Sequence, residues 1–362
     1  MAEEVLDRQE AFSGTQEVRP QHRFDVEKLE HYLAERIEGF TTPLEVRQFK
    51  GGQSNPTYQL VTPNRKYVLR RKPPGKLLPS AHAVDREFRI ISTLHPTGFP
   101  VAKPYLLCED ESIIGTIFYV MDCVEGRIYW GPLLPDQTPE QRHAIYDAMN
   151  ETFARLHNLD WRRLRLEDYG KPGSYVARQI ARWTKQYKLS ETERIDEMEK
   201  LIEWLPEHLP QAPRDSIVHG DYRLDNMILH PTEPKVIAVL DWELCTIGDP
   251  MADFTYHLMQ WQMPGDGSQT GSLMGADLDA LGIPSMEEYT RWYLQRTHRD
   301  TLPELDYYAA YNFFRLAGIL QGIIGRVRDG TASSAQAADN ASRVRPLAER
   351  AWHFAKRAGA PG

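Results

Sequence analysis

The chain has 362 residues, of which 41% are hydrophobic and 26% are charged. This composition is typical of one large or two modest packed domains and excludes a disordered polymer. The formal net charge of −8 argues against nucleic acid as a partner, because such binding needs a basic surface that displaces counterions. Three cysteines, Cys108, Cys123 and Cys245, are too few and too scattered for a disulfide framework or a zinc site.

The sequence predicts no membrane partner. No apolar run reaches the roughly 20 residues that a membrane-spanning helix needs, and the most apolar stretch, residues 113–124, has the length of a strand. Residues 1–4 read Met-Ala-Glu-Glu and lack the basic-then-apolar pattern of a secretory signal. We therefore expect a cytoplasmic protein.

The first third of the chain has the pattern of a small β-sheet. Residues 1–23 mix charged and small residues without periodicity, which predicts a mobile arm. Apolar residues then recur at helical spacing from Asp25, and short β-type runs follow, separated by turn residues. Together they predict an N-terminal lobe at residues 24–124, with five antiparallel strands and one inserted helix. The predicted strands are residues 44–49, 57–62, 66–71, 105–109 and 116–121, and the inserted helix is centred on residues 84–94.

The remainder, residues 125–362, is predicted to be a larger and mainly helical C-terminal lobe. Its first helix opens with Thr138, followed by proline and, at the third helical position, Gln141, which is a capping box. Further helices are predicted at residues 174–188 and 194–205, before a β-rich interruption at 217–242. The predicted fold class is therefore α+β.

The most informative motif is the run His-Gly-Asp-Tyr-Arg-Leu-Asp-Asn at residues 219–226, followed by an apolar strand and Asp241. Phosphoryl transfer needs a carboxylate that orients the attacking hydroxyl and accepts its proton, and oxygen ligands that hold magnesium on the phosphates. In this pattern Asp221 is the predicted base, and Asn226 and Asp241 are the predicted metal ligands. The cofactors predicted are therefore ATP and Mg²⁺.

Neighbouring polar residues have structural explanations that we favour. His219 is predicted to support the loop, because proton abstraction is assigned to Asp221. Asp225 is predicted to cap or brace the loop. Asp249 stands where a helix begins and is predicted to be its N-cap or to brace the loop.

A glycine turn upstream is a candidate phosphate-binding loop. The run Gly51-Gly52-Gln53-Ser54-Asn55 lies between two predicted strands, where glycine lets backbone N–H groups approach phosphates. A hairpin turn without a ligand would use the same residues. Gly51, Gly52, Ser54 and Asn55 are therefore candidate nucleotide-binding residues.

The strand that follows carries a candidate phosphate-binding cation. Alternation places Val68 and Arg70 on one face, so that Arg70 reaches the phosphates if Val68 lies under adenine. Glu87, on the next helix, is the predicted partner that holds Arg70. The alternative is that Arg70 belongs to a solvated basic run with Arg71 and Lys72.

Taken in order, these motifs resemble the aminoglycoside phosphotransferase and choline kinase superfamily, a relative of the protein kinases. More narrowly, the sequence is similar to the kinase-like domain fused to some acyl-CoA dehydrogenases and to its stand-alone bacterial relatives. The resemblance implies a two-lobed, protein-kinase-like fold with ATP in the cleft. It also implies that the segment Met121-Asp122-Cys123-Val124 is a hinge whose backbone meets adenine. The chain departs from many kinases in carrying Arg70 where they carry lysine.

The acceptor is predicted to be a small molecule. Arg178, Arg182 and Lys185 recur at helical spacing and, with Arg315, favour an anionic acceptor, although a solvated helix face would show the same pattern. The resemblance implies a hydroxyacyl-CoA thioester, especially a 4-hydroxy one. The alternatives are a kinase for an amino sugar, choline or similar alcohol, and a nucleotide-binding pseudokinase that scaffolds a partner.

Overall fold

The computed structural model describes residues 13–50, 55–73, 83–211, 214–263, 271–302, 304–328 and 337–362, with side chains from residue 342 onward in the last range. The chain divides into two compact units: Met1–Trp130 with Leu224–Cys245, and Gly131–Arg223 with Thr246–Gly362. The first unit extends to Trp130, beyond the predicted lobe boundary at residue 125. It also contains residues 224–245, which were predicted to belong to the C-terminal lobe. Backbone hydrogen bonds attach them there, from Arg127 N to Leu229 O at 2.8 Å and from Val239 N to Pro100 O at 2.8 Å.

The first unit is built on an antiparallel sheet of six strands. The strands are β1 Thr15–Gln16, β2 Glu45–Phe49, β3 Thr57–Val61, β4 Lys66–Arg71, β5 Pro104–Cys108 and β6 Phe118–Asp122. Their order in the sheet is β1-β2-β3-β4-β6-β5. The strand β4 is central, and all of its residues after Lys66 are buried. The mixed α+β fold is confirmed, with one strand more than predicted.

The additional strand comes from the segment predicted as a mobile arm. Thr15 and Gln16 pair with Phe49 and Gln48, and the Gln48 side chain accepts a hydrogen bond from Arg19 N at 3.1 Å. A two-residue strand is too short to show the alternation on which sequence prediction depends. Residues 1–12 of this segment lie outside the described residues.

Two helices accompany the sheet, α1 Val26–Ala34 and α2 Val84–Leu94. The helix α1 begins after Asp25, whose carboxylate accepts from Lys28 N at 3.0 Å, as expected of an N-cap. The helix α2 buries an apolar stripe and, on the same helix, the carboxylate of Glu87, which is 1% exposed. A buried carboxylate needs a partner, so Glu87 is expected to pair with a cation or with hydrogen-bond donors.

The β-rich interruption forms two short antiparallel pairs. In the first unit, β8 Met227–Leu229 pairs with β9 Val236–Val239. In the second unit, β7 Ser216–Val218 pairs with β10 Thr246–Gly248.

The remaining regular structure in the described part of the second unit is helical. Its helices are α3 Pro139–Asn158, α4 Tyr175–Ser190, α5 Asp196–Glu207, α6 Pro250–Leu258, α7 Leu278–Leu281, α8 Met286–Arg296, α9 Leu305–Arg328 and α10 Ala337–Arg357. The predicted capping box is confirmed, because the side chains and backbones of Thr138 and Gln141 bond reciprocally. The predicted N-cap of α6 is also confirmed, since Asp249 Oδ1 accepts from Met251 N at 2.8 Å. Within the described part of the chain, none of the helices has both the length and the apolar character needed to cross a membrane.

Candidate active site

A cluster of charges lies on the first unit around Arg70, in the central strand β4. The Arg70 Nε lies 2.8 Å from Glu87 Oε2, and Nη2 lies 2.7 Å from Asp241 Oδ1. Glu243 Oε2 is further from Nη2, at 3.8 Å. The structure thus shows the predicted pairing of Arg70 with Glu87 and adds Asp241, which the sequence singled out separately.

Glu87 is fixed from several sides. Asn55 Nδ2 donates to its Oε1 at 2.8 Å, and the Tyr119 hydroxyl donates to Oε2 at 3.1 Å. Burial raises the pKa of Glu87, and the positive charge of Arg70 opposes this rise. Burial alone would lower the pKa of Arg70, but Glu87 and then Asp241 raise it. The guanidinium is therefore a permanent cation in a rigid setting.

Because this pair is buried, replacing one partner should destabilise the fold. We expect Arg70→Met to lower the free energy of unfolding by about 3–5 kcal/mol, since it leaves the Glu87 carboxylate buried without its counter-charge. Urea unfolding monitored by tryptophan fluorescence measures this.

The matched control is Lys66→Met, at the first residue of the same strand. It breaks the exposed ion pair between Lys66 and Glu125. It should leave stability nearly unchanged, because exposed ion pairs contribute little. If the two variants lose the same free energy of unfolding, the ion pair of Arg70 with Glu87 stabilises the fold no more than an exposed pair does.

Asn226 and Asp241 stand at the same end of the β8–β9 hairpin. Leu240 N donates to Asn226 O at 2.8 Å, so the residue before Asp241 is bonded to Asn226. Asp241 has φ 61° and ψ 63°, a left-handed conformation that non-glycine residues rarely adopt and that is common at functional sites. One carboxylate and one amide are hard oxygen donors of the type that Mg²⁺ prefers, and they leave positions for water and phosphate oxygens.

The loop that carries Asp221 belongs to the second unit. The Tyr256 hydroxyl donates to Asp221 Oδ1 at 3.0 Å, and Arg223 Nε lies 3.1 Å from the same oxygen. The Asp221 side chain remains 21% exposed, so it can reach an acceptor. Neither Tyr256 nor Arg223 was identified as a partner of Asp221 from the sequence.

The backbone of this loop is held by Asp253. Its carboxylate accepts from His219 N at 2.6 Å and from Gly220 N at 2.9 Å. Burial would raise the pKa of Asp253, but hydrogen bonding to His157 and the charge of that ring lower it. His219 is fully buried and its Nδ1 accepts from Asp221 N at 3.2 Å, which supports the scaffold role. Asp253 was not among the predicted site residues, although its position one helical turn after Asp249 was a usable signal.

The sequence matches the phosphotransferase enzyme family over residues 45–290, which is more than half of the chain. The chain belongs to this family. Curated relatives extend the match. It is 46% identical over 347 residues to mouse acyl-CoA dehydrogenase family member 10, covering 96% of this chain and 32% of the relative. It is 43% identical over 351 residues to human acyl-CoA dehydrogenase family member 11, covering 95% of this chain and 45% of the relative. The chain thus spans less than half the length of these relatives.

Solved structures of the phosphotransferase kind share the fold. A Ralstonia eutropha JMP134 protein assigned to the aminoglycoside phosphotransferases is 54% identical, with a TM-score of 0.85 over 92% of this chain and 99% of that one. Choline kinase from Cryptosporidium parvum is 11% identical, with a TM-score of 0.65 over 92% of this chain and 96% of that one. At that identity the likeness concerns the fold alone. The family resemblance predicted from the motifs is confirmed.

The predicted nucleotide-binding residues of this phosphotransferase are placed in part. Gly51, Gly52 and Ser54 lie outside the described residues. Asn55 is buried and its side chain contacts Glu87, so this amide supports the Arg70 cluster.

The strand pairing places the predicted adenine-contacting residues side by side. Val68, in β4, is buried and stands opposite Met121 of β6. Asp122 ends that strand and lies 3.3 Å from Arg65 Nε. Cys123 and Val124, the remaining residues of the predicted hinge, follow directly and are half-buried.

The predicted acceptor residues fall into two groups. Arg178 donates to the backbone carbonyls of Lys171 and Gly173, and Arg315 is buried with Nη2 on Gly220 O at 2.9 Å. Their guanidinium groups are therefore engaged within the protein. Arg182 and Lys185 are exposed on α4.

Proposed function

We propose that this phosphotransferase is an ATP- and Mg²⁺-dependent small-molecule kinase that transfers the γ-phosphate to a hydroxyl group. The observation that carries the proposal is the arrangement of Asn226 and Asp241 at one end of a hairpin, with Arg70 bonded to Asp241. A carboxylate, an amide oxygen and a fixed guanidinium are the groups that a magnesium–polyphosphate complex requires.

In this proposal each residue has one role. Asp221 orients the acceptor hydroxyl and accepts its proton. Asn226 and Asp241 would hold the metal ion, which when bound neutralises charge on the β- and γ-phosphates. Arg70, braced by Glu87, binds the phosphates. Arginine can do so with two parallel N–H donors, which lysine lacks.

The acidic side chains of the Arg70 cluster favour a divalent cation. Three carboxylates, those of Glu87, Asp241 and Glu243, lie within 4 Å of one guanidinium. A divalent cation held at Asp241 would be attracted by these carboxylates and would reduce their repulsion of the phosphates that Arg70 attracts.

We propose further that the acceptor is a hydroxyacyl-CoA, with the hydroxyl at the 4-position as the preferred case. Two observations support this choice. The curated relatives are named acyl-CoA dehydrogenases, and a kinase segment in such a chain is expected to act on a related thioester. In addition, α4 exposes Arg182 and Lys185 one turn apart, and CoA carries several phosphate charges that two such cations would attract.

Mass-spectrometric detection of phosphate transfer from Mg-ATP tests both levels of the proposal. The panel holds a 4-hydroxyacyl-CoA, its free acid, choline and an aminoglycoside. We expect the phosphorylated thioester as the main product. If choline or the aminoglycoside is phosphorylated instead, the protein is still a small-molecule kinase, but its acceptor is not a hydroxyacyl-CoA. Binding of Mg-ATP without product from any acceptor would favour the nucleotide-binding pseudokinase.

The same assay tests the basic helix face. Arg182→Ala/Lys185→Ala should raise the KM for the thioester about tenfold, equivalent to about 1.4 kcal/mol, and leave turnover of the free acid unchanged. The matched control is Arg163→Ala/Lys356→Ala, which removes two exposed cations elsewhere on the second unit. A similar rise in the control would point to a general effect of charge.

A further inference from the structure

The helix α6 contacts the Asp221 loop twice. Asp253 binds the loop backbone at His219 and Gly220. Tyr256, three residues later and therefore on the same helix face, donates its hydroxyl hydrogen bond to Asp221 Oδ1. One rigid helix thus fixes both the path of the loop and the orientation of its carboxylate.

The Tyr256 hydroxyl stays protonated and can therefore donate its hydrogen bond to Asp221 throughout the physiological pH range. Burial raises the pKa of Tyr256, and the negative charge of Asp221 raises it further, so the phenol keeps its proton at physiological pH. A second contact to Asp221 Oδ1 comes from Arg223, whose side chain is 51% exposed. Exposed ion pairs are weak and move with solvent, so Tyr256 contributes the better-defined contact.

Arg315, on α9, connects Tyr256 to the loop. It is 6% exposed, its Nη2 donates to Gly220 O at 2.9 Å, and its guanidinium carbon lies 4.8 Å from the centre of the Tyr256 ring. Among the residues that the structure describes, Arg315 forms no ion pair with a carboxylate. A buried cation is costly unless other groups compensate it. Here a carbonyl oxygen and an aromatic face do so in part, and the Arg315 Nε has no hydrogen-bond partner among the described residues.

We propose that Tyr256 is the positioning residue for Asp221 and that Arg315 locks Tyr256 and the loop backbone together. This rests on the proposed role of Asp221 as proton acceptor. Arg315 is thereby assigned to the loop and not to the acceptor, in contrast to the prediction from the sequence. Catalysis is sensitive to such placement, because a displacement of about 1 Å can lower the rate about a hundredfold.

Steady-state kinetics test the positioning roles of Tyr256 and Arg315. The substrates are Mg-ATP and the acceptor that is phosphorylated in the panel. Tyr256→Phe removes only the hydroxyl and should lower kcat about ten- to a hundredfold, with the KM values for Mg-ATP and acceptor within about twofold of wild type. Arg315→Met should also lower kcat, and Arg315→Lys should restore part of the loss because it keeps the positive charge at the ring and the carbonyl. If Arg315 binds the acceptor instead, the KM for the acceptor will rise while kcat stays near wild type.

A matched control and a double variant separate positioning from folding. Tyr307→Phe also removes a buried hydroxyl, one that donates to Leu205 O at 2.7 Å, and should leave kcat unchanged. In an Asp221→Ala background, Tyr256→Phe should have no further effect, because the hydroxyl acts through Asp221. If Asp221→Ala abolishes transfer while Tyr256→Phe retains wild-type turnover, the positioning role is wrong and the proposed function stands. Wild-type turnover in Asp221→Ala would overturn both.

Discussion

Asp221→Asn is expected to lower kcat about a thousandfold while leaving the affinity for Mg-ATP within about twofold of wild type. The amide keeps the shape of the side chain but has no basic oxygen with which to accept the hydroxyl proton, and such transfer contributes about a hundred- to ten-thousandfold. The binding of nucleotide is assigned to other residues, so it should not change. Initial rates of product formation and a fluorescent-nucleotide titration measure the two quantities separately.

Asp196→Asn is the matched control. It removes one carboxylate from the second unit, at an exposed pair with Arg194, and should leave kcat unchanged. If Asp221→Asn instead raises the KM for the acceptor without lowering kcat, Asp221 binds the acceptor in ground state and transition state alike and is not the base.

Local features of the sequence were sufficient to predict most of the first unit. The strand β4 has the predicted bounds, Lys66–Arg71, because a short β-type run between turn residues leaves little freedom in its placement. The capping box at Thr138 is equally local. In contrast, β1 is two residues long and depends on pairing with β2, which no local pattern of residues 13–23 indicates.

The partners of Asp221 could not be predicted for a related reason. Tyr256 is 35 residues further along the chain, and its contact depends on the packing of α6 against the loop. A tyrosine on a helix is more often part of the core, so its residue type gave no signal. The pairing of Arg70 with Glu87 was predictable because both lie in neighbouring, strongly patterned elements.

Arginine at position 70, where many kinases carry lysine, can contact two carboxylates through different nitrogens. Its Nε and Nη2 contact Glu87 and Asp241 at the same time, which a lysine ammonium could do only with a different geometry. Arg70 therefore joins the carboxylate of α2 to the proposed metal ligand. We infer that Asp241 is positioned partly by Arg70, so the two residues should not be independent in mutagenesis.

Asp241→Asn is expected to lower the affinity for Mg-ATP about a hundredfold, and to leave the affinity for metal-free ATP unchanged or slightly higher. Loss of the carboxylate removes a charged ligand from Mg²⁺. It also removes a negative charge beside Arg70, which then attracts the phosphates more strongly. Asparagine tolerates the left-handed conformation at this position, so the substitution changes the charge with little added backbone strain.

Calorimetric titration of ATP, once with Mg²⁺ and once with EDTA, distinguishes a metal ligand from a structural carboxylate. The control Glu35→Gln removes an exposed charge from the same unit and should alter neither affinity. If Asp241→Asn lowers both affinities equally, the residue supports the fold of the hairpin and does not hold the metal. An intact affinity for Mg-ATP would remove Asp241 from the metal site altogether, because a divalent ion that loses one of two protein ligands cannot bind as tightly.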